Sequence, residues 1–128
     1  MRVDVARILV IDDDSDIREV VGEALTYAGY EVATARDGRE GLAACRSFHP
    51  DLILLDLMMP GVSGWEFRAA QQRDPALAAI PVVVVTALGH DPDIQVSALL
   101  AKPFRLEDLL SEVRRFAGEG AAPNGLHH

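Results

Sequence analysis

Leu52-Ile53-Leu54-Leu55 is an unbroken apolar run that ends on a carboxylate, Asp56, with Leu57 and two methionines beyond it. A strand with one face in water alternates apolar and polar residues, so a short run without alternation reads as a strand buried on both faces. An ionised carboxylate among such neighbours costs several kcal/mol unless something pairs it. Asp56 therefore stands at the open end of its strand or waits for a cation. The pattern recurs along the chain. Ile8 to Ile11 runs into Asp12-Asp13-Asp14, and Leu99-Leu100-Ala101 runs into Lys102. Val82 to Val85, opened by Pro81, runs into Thr86, and four adjacent β-branched residues favour strand over helix.

Helical stretches fill the intervals. Asp16 to Ala28 places Ile17, Val20, Val21, Ala24, Leu25 and Ala28 on one face. Ser15 or Asp14 can cap it, and Gly29 suits its left-handed end. A brief strand, Glu31 to Ala33, follows. Gly38 to Phe48 makes a second helix with a small apolar face of Gly41, Leu42, Cys45 and Phe48, ended by His49-Pro50. Pro60 to Gly64 is a loop. Gly64 to Gln72, with Trp65, Phe67 and Ala69, makes a third helix that stops near Asp74-Pro75. Residues 88–97 carry Gly89 and Pro92 and allow at most two helical turns around Ile94 to Ala98. Leu106, Leu109, Leu110, Val113 and Phe116 mark a final helix. The expected domain is 1–117. Residues 118–128 have no periodicity and read as a disordered tail, with His127-His128 as an expression remnant.

Strand and helix alternating in this way predict an α/β fold, a doubly wound five-stranded parallel sheet with helices on both faces. At 128 residues and 49% hydrophobic content the chain can bury one core. Its net charge of −8 argues against direct binding to nucleic acid, which wants basic residues concentrated on one face. One cysteine, Cys45, excludes an internal disulfide. No apolar run is long enough for a membrane span, and the N-terminus lacks a secretory signal, so the expected location is cytoplasmic.

In open parallel sheets ligands sit beyond the carboxyl ends of the strands. That rule gathers Asp12, Asp13, Asp56, Thr86 and Lys102 at one crevice. Close carboxylates repel and demand a cation. Oxygen donors without Cys or clustered His fit Mg²⁺ better than Zn²⁺. A cation and Lys102 together would let a phosphoryl group approach Asp56, with Thr86 donating to one of its oxygens, which is the construction of phosphoryl transfer.

Four stretches, Ile8 to Arg18, Asp51 to Glu66, Val83 to Ala87 and Ala101 to Phe104, resemble in order the signatures of the receiver domain of two-component response regulators. The resemblance spans residues 7 to 117. It implies a flavodoxin-like strand order of 2-1-3-4-5. It implies that Asp56 takes a phosphoryl group from a histidine kinase or a histidine phosphotransfer domain. Asp13 would contact Mg²⁺ directly, Asp12 largely through water, and the Met58 carbonyl would add a ligand. Thr86 would be the switch residue, Lys102 the cation that pairs with the phosphoryl group, and Lys102-Pro103 a cis bond. Output would pass to a downstream protein or to an output domain outside this chain.

The departures from that pattern are specific. Leu99 stands three residues before Lys102, where relatives place an aromatic partner of the switch threonine. The stretch from Thr86 to Lys102 is shorter than in relatives, so the helix between the fourth and fifth strands is expected to be shortened or missing. Met58 and Leu88, two residues beyond Asp56 and Thr86, are apolar and could shield an acyl phosphate, which implies slow self-dephosphorylation. Met58 also stands where aspartyl-nucleophile phosphohydrolases need an acid, so independent turnover is not expected and the domain would catalyse only its own modification. The alternatives are a pseudo-receiver that binds without phosphate and, further off, such a hydrolase. Plainer readings stand beside the site. Asp12-Asp13-Asp14 could be a solvated helix start. Trp65 and Cys45 read as packing residues, His49 as a helix end and His90 as a loop residue.

Overall fold

Each apolar run finds its neighbour in parallel. The computed structural model describes residues 5–88 and 94–120. Its elements in order are β1 (Arg7–Ile11), α1 (Ser15–Tyr27), β2 (Glu31–Ala35), α2 (Gly38–Phe48), β3 (Leu52–Leu55), α3 (Gly64–Arg73), β4 (Val82–Thr86), β5 (Ala98–Ala101) and α4 (Leu106–Ala117). The strands form one parallel sheet of order β2-β1-β3-β4-β5. Leu9 lies opposite Ile53 and Leu54 opposite Val83, so the most apolar runs hold the middle.

Side chains on a strand alternate between faces, and here both faces are buried. Ile8, Val10, Leu52, Leu54, Val83 and Val85 pack against Val21 and Leu25 of α1 and against Leu109 and Val113 of α4. Leu9, Ile11, Ile53, Leu55, Val82 and Val84 pack against Cys45 of α2 and Phe67 of α3. The helices begin where polar caps stand. The Asp14 carboxylate accepts from the Asp16 and Ile17 N–H groups, which decides between the two cap candidates. Asp37 caps α2 through the Glu40 N–H, and Ser63 with Glu66 forms a capping box on α3.

Several expectations change. β2 runs to Ala35 rather than Ala33, because Thr34 and Ala35 continue the ladder opposite Val10 and Ile11. In α1 only Val21 and Leu25 are buried. Val20 is 48% exposed and, with Leu106 of α4 at 38%, lines an open apolar groove beside Pro103. In α3 Trp65 and Ala69 face outward, and the buried positions after Gly64 are Phe67 and Gln71.

Between β4 and β5 no helix is present among the described residues. The helical turns expected around Ile94 to Ala98 are absent, because the end of this stretch is drawn into the sheet. Ser97 N–H donates to the Val82 carbonyl, and Ala98 pairs with Val83. Ile94 and Val96 pack onto the α2/α3 side of the core. Gly89, His90 and Pro92 lie outside the described residues, as does the tail from residue 121 onward. Through Gly120 the chain stays against the body, where the Tyr30 hydroxyl donates to the Gly118 carbonyl at 2.5 Å.

Two measurements check this packing. Phe67→Ala should cost about 3–5 kcal/mol, read from urea unfolding, because the fully buried ring joins α3 to the sheet. Cys45 is also fully buried, and burial pushes its thiol up to about 11. It should resist thiol reagents near neutral pH in the native protein and react once the chain is unfolded.

Candidate functional site

Parallel strands bring their carboxyl ends to one edge, and here the ladder carries on one residue past each end. Asp12 N–H donates to the Ala35 carbonyl at 3.0 Å, Asp56 N–H to Ile11 at 2.9 Å and Lys102 N–H to Thr86 at 2.9 Å. The backbones of these residues are therefore fixed by the sheet rather than by loops. Thr86 is itself the last residue of β4, opposite Ala101. All five crevice residues expected from the sequence stand at this edge.

The side chains converge. Carboxylate oxygens of Asp12, Asp13 and Asp56 lie within 4.8 Å of one another, with Asp12 and Asp56 buried and Asp13 exposed. Lys102 Nζ lies 2.7 Å from Asp12 Oδ2 and 3.4 Å from Asp56 Oδ2. The remaining oxygen of each buried carboxylate accepts a backbone N–H. Asp12 Oδ1 takes that of Asp14 at 2.9 Å, and Asp56 Oδ1 takes that of Met58 at 3.2 Å. Each buried acid is thus held by one main-chain donor and by the shared ammonium.

The charges do not balance, with three carboxylates against one lysine. Burial raises the Asp12 carboxyl above the usual carboxylate range, although the Lys102 hydrogen bond pulls the other way. Burial alone would lower Lys102, but the hydrogen bond and charge of Asp12 and Asp56 hold it above the ordinary lysine value. The uncompensated charge and the all-oxygen donor set suit a hard divalent cation.

The remaining candidates sit around this centre. The Thr86 hydroxyl is buried and accepts the Leu88 N–H at 3.4 Å. Met58 and Leu88 are 56% and 48% exposed, one beyond Asp56 and the other beyond Thr86. Lys102-Pro103 is cis. Leu99 does not join the cluster. It pairs with Val84 and packs, partly buried, on the α2/α3 side of the sheet. Beneath Asp12 and Asp56 lies an apolar cavity of about 10 Å³, lined in part by Ile17, Phe104 and Leu109. Space for about one water at most excludes an enclosed substrate, so a reacting group must come from the solvent side.

The sequence reading missed several supports. Gly64 lies so close to the Asp56 carbonyl that a Cβ there would collide with it, which ties the start of α3 to the acidic strand end. Its spacing after Pro60-Gly61 marks a turn but not this contact. Arg18, from the first turns of α1, donates to the Asp12 carbonyl at 2.7 Å. Gln71 is fully buried, and its amide donates to the Leu77 and Ile80 carbonyls. No local pattern announces these long-range polar contacts.

Lys102→Met should destabilise the protein by about 3–5 kcal/mol at neutral pH in chelator, because it leaves two buried carboxylates facing one another. The substitution also removes the lysine that helps lower the Asp12 pKa, so that pKa rises further. Acidification then protonates Asp12, and the deficit relative to wild type should shrink as pH falls. Urea unfolding of both proteins across pH measures it.

A family model described as the response regulator receiver domain matches residues 8–114. The DNA-binding dual master transcriptional regulator RpaA of Synechocystis is 45% identical over 114 residues, covering 84% of this chain and 47% of that protein. The phosphate regulon transcriptional regulatory protein PhoB of Pseudomonas aeruginosa is 36% identical over 113 residues, covering 84% and 49%. The chain therefore spans about half the length of these curated relatives. Among solved structures, the chemotaxis protein CheY4 of Vibrio cholerae superposes with a TM-score of 0.82 at 34% identity, over 88% of this chain and 99% of that one. A putative response regulator from Chloroflexus aurantiacus gives 0.82 at 27% identity, over 91% and 100%. An acidic strand edge bridged by a lysine, on a sheet of this order and with these relatives, identifies the chain as a member of the response regulator receiver domain family.

Proposed function

We propose that Asp56 accepts a phosphoryl group from the phosphohistidine of a histidine kinase or phosphotransfer domain, and that the modification changes what the domain binds. The observation that carries this reading is the placement of Asp56. It is buried, held by the sheet through its N–H, and faced by the lysine that also bonds Asp12. A carboxylate oxygen of Asp56 attacks phosphorus, the P–N bond breaks, and the imidazole leaves with the bonding pair. Asp12, Asp13 and Asp56, with the Met58 carbonyl, would hold Mg²⁺, which neutralises charge on the transferring phosphoryl oxygens when bound.

The chain's own groups do the rest. Lys102 already reaches Asp56 Oδ2, so it need only exchange Asp12 for a phosphoryl oxygen. The Thr86 hydroxyl would turn from the Leu88 N–H to the phosphoryl group. Leu99, packed with Val84 on the α2/α3 side of the sheet, the face to which strand alternation also assigns Thr86, would fill space that Thr86 vacates without offering a hydroxyl of its own. Met58 and Leu88 would limit the approach of a hydrolytic water.

Output would pass through a partner protein or an output domain beyond these residues. The named relatives are transcriptional regulators about twice this length, which supports a DNA-binding output segment over direct DNA contact by this acidic domain. The expected setting is cytoplasmic, and among the described residues no helix is long and apolar enough to cross a membrane.

Intact mass after incubation with acetyl phosphate tests the reading. A single phosphoryl adduct should form with Mg²⁺ and disappear in chelator or in Asp56→Asn. No adduct from acetyl phosphate, from a panel of phosphorylated kinases or from beryllofluoride would leave a module that signals by binding alone. The adduct should hydrolyse slowly, and Met58→Asn or Leu88→Asn should speed its loss several-fold. A lifetime of seconds in wild type, unchanged by either substitution, would overturn the shielding role.

A further inference from the structure

We infer that Arg18 is a positioning residue for the cation site, acting through the main chain of Asp12; this rests on the reading of the cleft as a Mg²⁺ site. Arg18 lies on a helix rich in acids, with Asp16, Glu19 and Glu23 nearby in sequence. Its guanidinium nevertheless turns back to a neutral group, the Asp12 carbonyl, at 2.7 Å. Among the described residues it forms no salt bridge. None of these acids stands three or four residues from Arg18, the spacing that faces it on a helix, and its charge-assisted bond is committed to the carbonyl instead.

What that carbonyl controls is specific. It belongs to the peptide joining Asp12 to Asp13. The Asp12 N–H is fixed by the Ala35 carbonyl, and the Asp14 N–H by Asp12 Oδ1. Arg18 fixes the peptide between them. Asp13 is exposed, and its carboxylate reaches the other two acids only as far as this peptide directs it. If the Asp12 carbonyl is released, the peptide plane can rotate and carry the Asp13 Cα with it. Groups that orient ligands without touching the metal typically change its affinity by about tenfold or more.

The sign of the effect separates this role from its competitors. If Arg18 acts only as a nearby positive charge, its removal should tighten cation binding, because a repelling charge has gone. A purely structural role would lower stability and leave affinity alone. Positioning predicts weaker binding. The experiment is calorimetric titration of wild type, Arg18→Met and Arg18→Lys with Mg²⁺ alone, beside thermal melts in chelator. Arg18→Met keeps the apolar stem and should weaken Mg²⁺ binding about tenfold, while Arg18→Lys, with charge but no planar fork, should weaken it about threefold. Unchanged or tighter binding by Arg18→Met overturns the inference, even when its melting point falls. Should Arg18→Met fail to fold, Arg18→Lys decides alone, and wild-type affinity there overturns it. If wild type takes up no Mg²⁺, the reading of the cleft fails and takes this inference with it, an outcome distinct from a failure of the variants.

Discussion

Two carboxylates buried at the end of a parallel sheet, with one ammonium between them, set the terms for the rest of the domain. Asp12 and Asp56 are 2% and 5% exposed, and their attraction to Lys102 offsets a desolvation cost of several kcal/mol per ion. That balance survives only if the three groups cannot drift apart. The sheet supplies the rigidity, because each of the three backbones is tied by a ladder hydrogen bond one residue past its strand. The apolar strands are long enough to bury the edge and short enough to leave the next residue at its mouth. Core packing and site chemistry are here one construction, since moving a strand by a residue would exchange its buried side chains between faces and pull a charge out of the cluster.

The structure is poised because the balance is incomplete. A third carboxylate, Asp13, stands exposed beside the buried pair, and burial keeps the Asp12 carboxyl raised in spite of its lysine. A site fully neutralised by its own residues would have no demand for a cation. Lys102 bonds Asp12 more closely than Asp56, which leaves the Asp56 oxygens as the less committed pair. In this respect the resting arrangement holds Asp56 still without saturating it.

What could be read in the sequence follows from which forces are local. Unbroken runs such as Leu52 to Leu55 and Val82 to Val85 state their own burial, and a parallel sheet then places Asp12, Asp56, Thr86 and Lys102 together without further information. The same logic is blind where a residue's neighbour is remote. Thr34 and Ala35 look like the end of a strand until β1 is seen to pair with them. Val20 and Leu106 lie on apolar stripes, yet a stripe does not say which of its edges meets the sheet, and both are exposed. Residues 94–98 carry mixed signals, and it is the bonding of Ser97 and Ala98 to β4 that draws their end into the sheet. Arg18 and Gln71 bind carbonyls, which have no sequence signature at all.

Among the described residues no helix lies between β4 and β5. The segment leading into β5 is met by α3. Arg68 of α3 donates through Nε to the Gln95 carbonyl at 2.9 Å and through a terminal nitrogen to the Gln71 amide oxygen at 2.8 Å. Gln71 in turn ties the Leu77 and Ile80 carbonyls ahead of β4. The other end of α3 begins at Gly64, which is pressed against the Asp56 carbonyl. One helix thus touches the acidic strand end at its start and the lead-in to β5 further along. Spatial connection is not itself coupling, which requires an element with two arrangements that the site can bias. The helix is capped by Ser63 and Glu66 and anchored by the buried Phe67. Any second arrangement must therefore lie in what α3 grips rather than in α3 itself. Among the described residues, what α3 grips at Gln95 is held by one guanidinium and by partly buried Ile94 and Val96, outside the regular sheet.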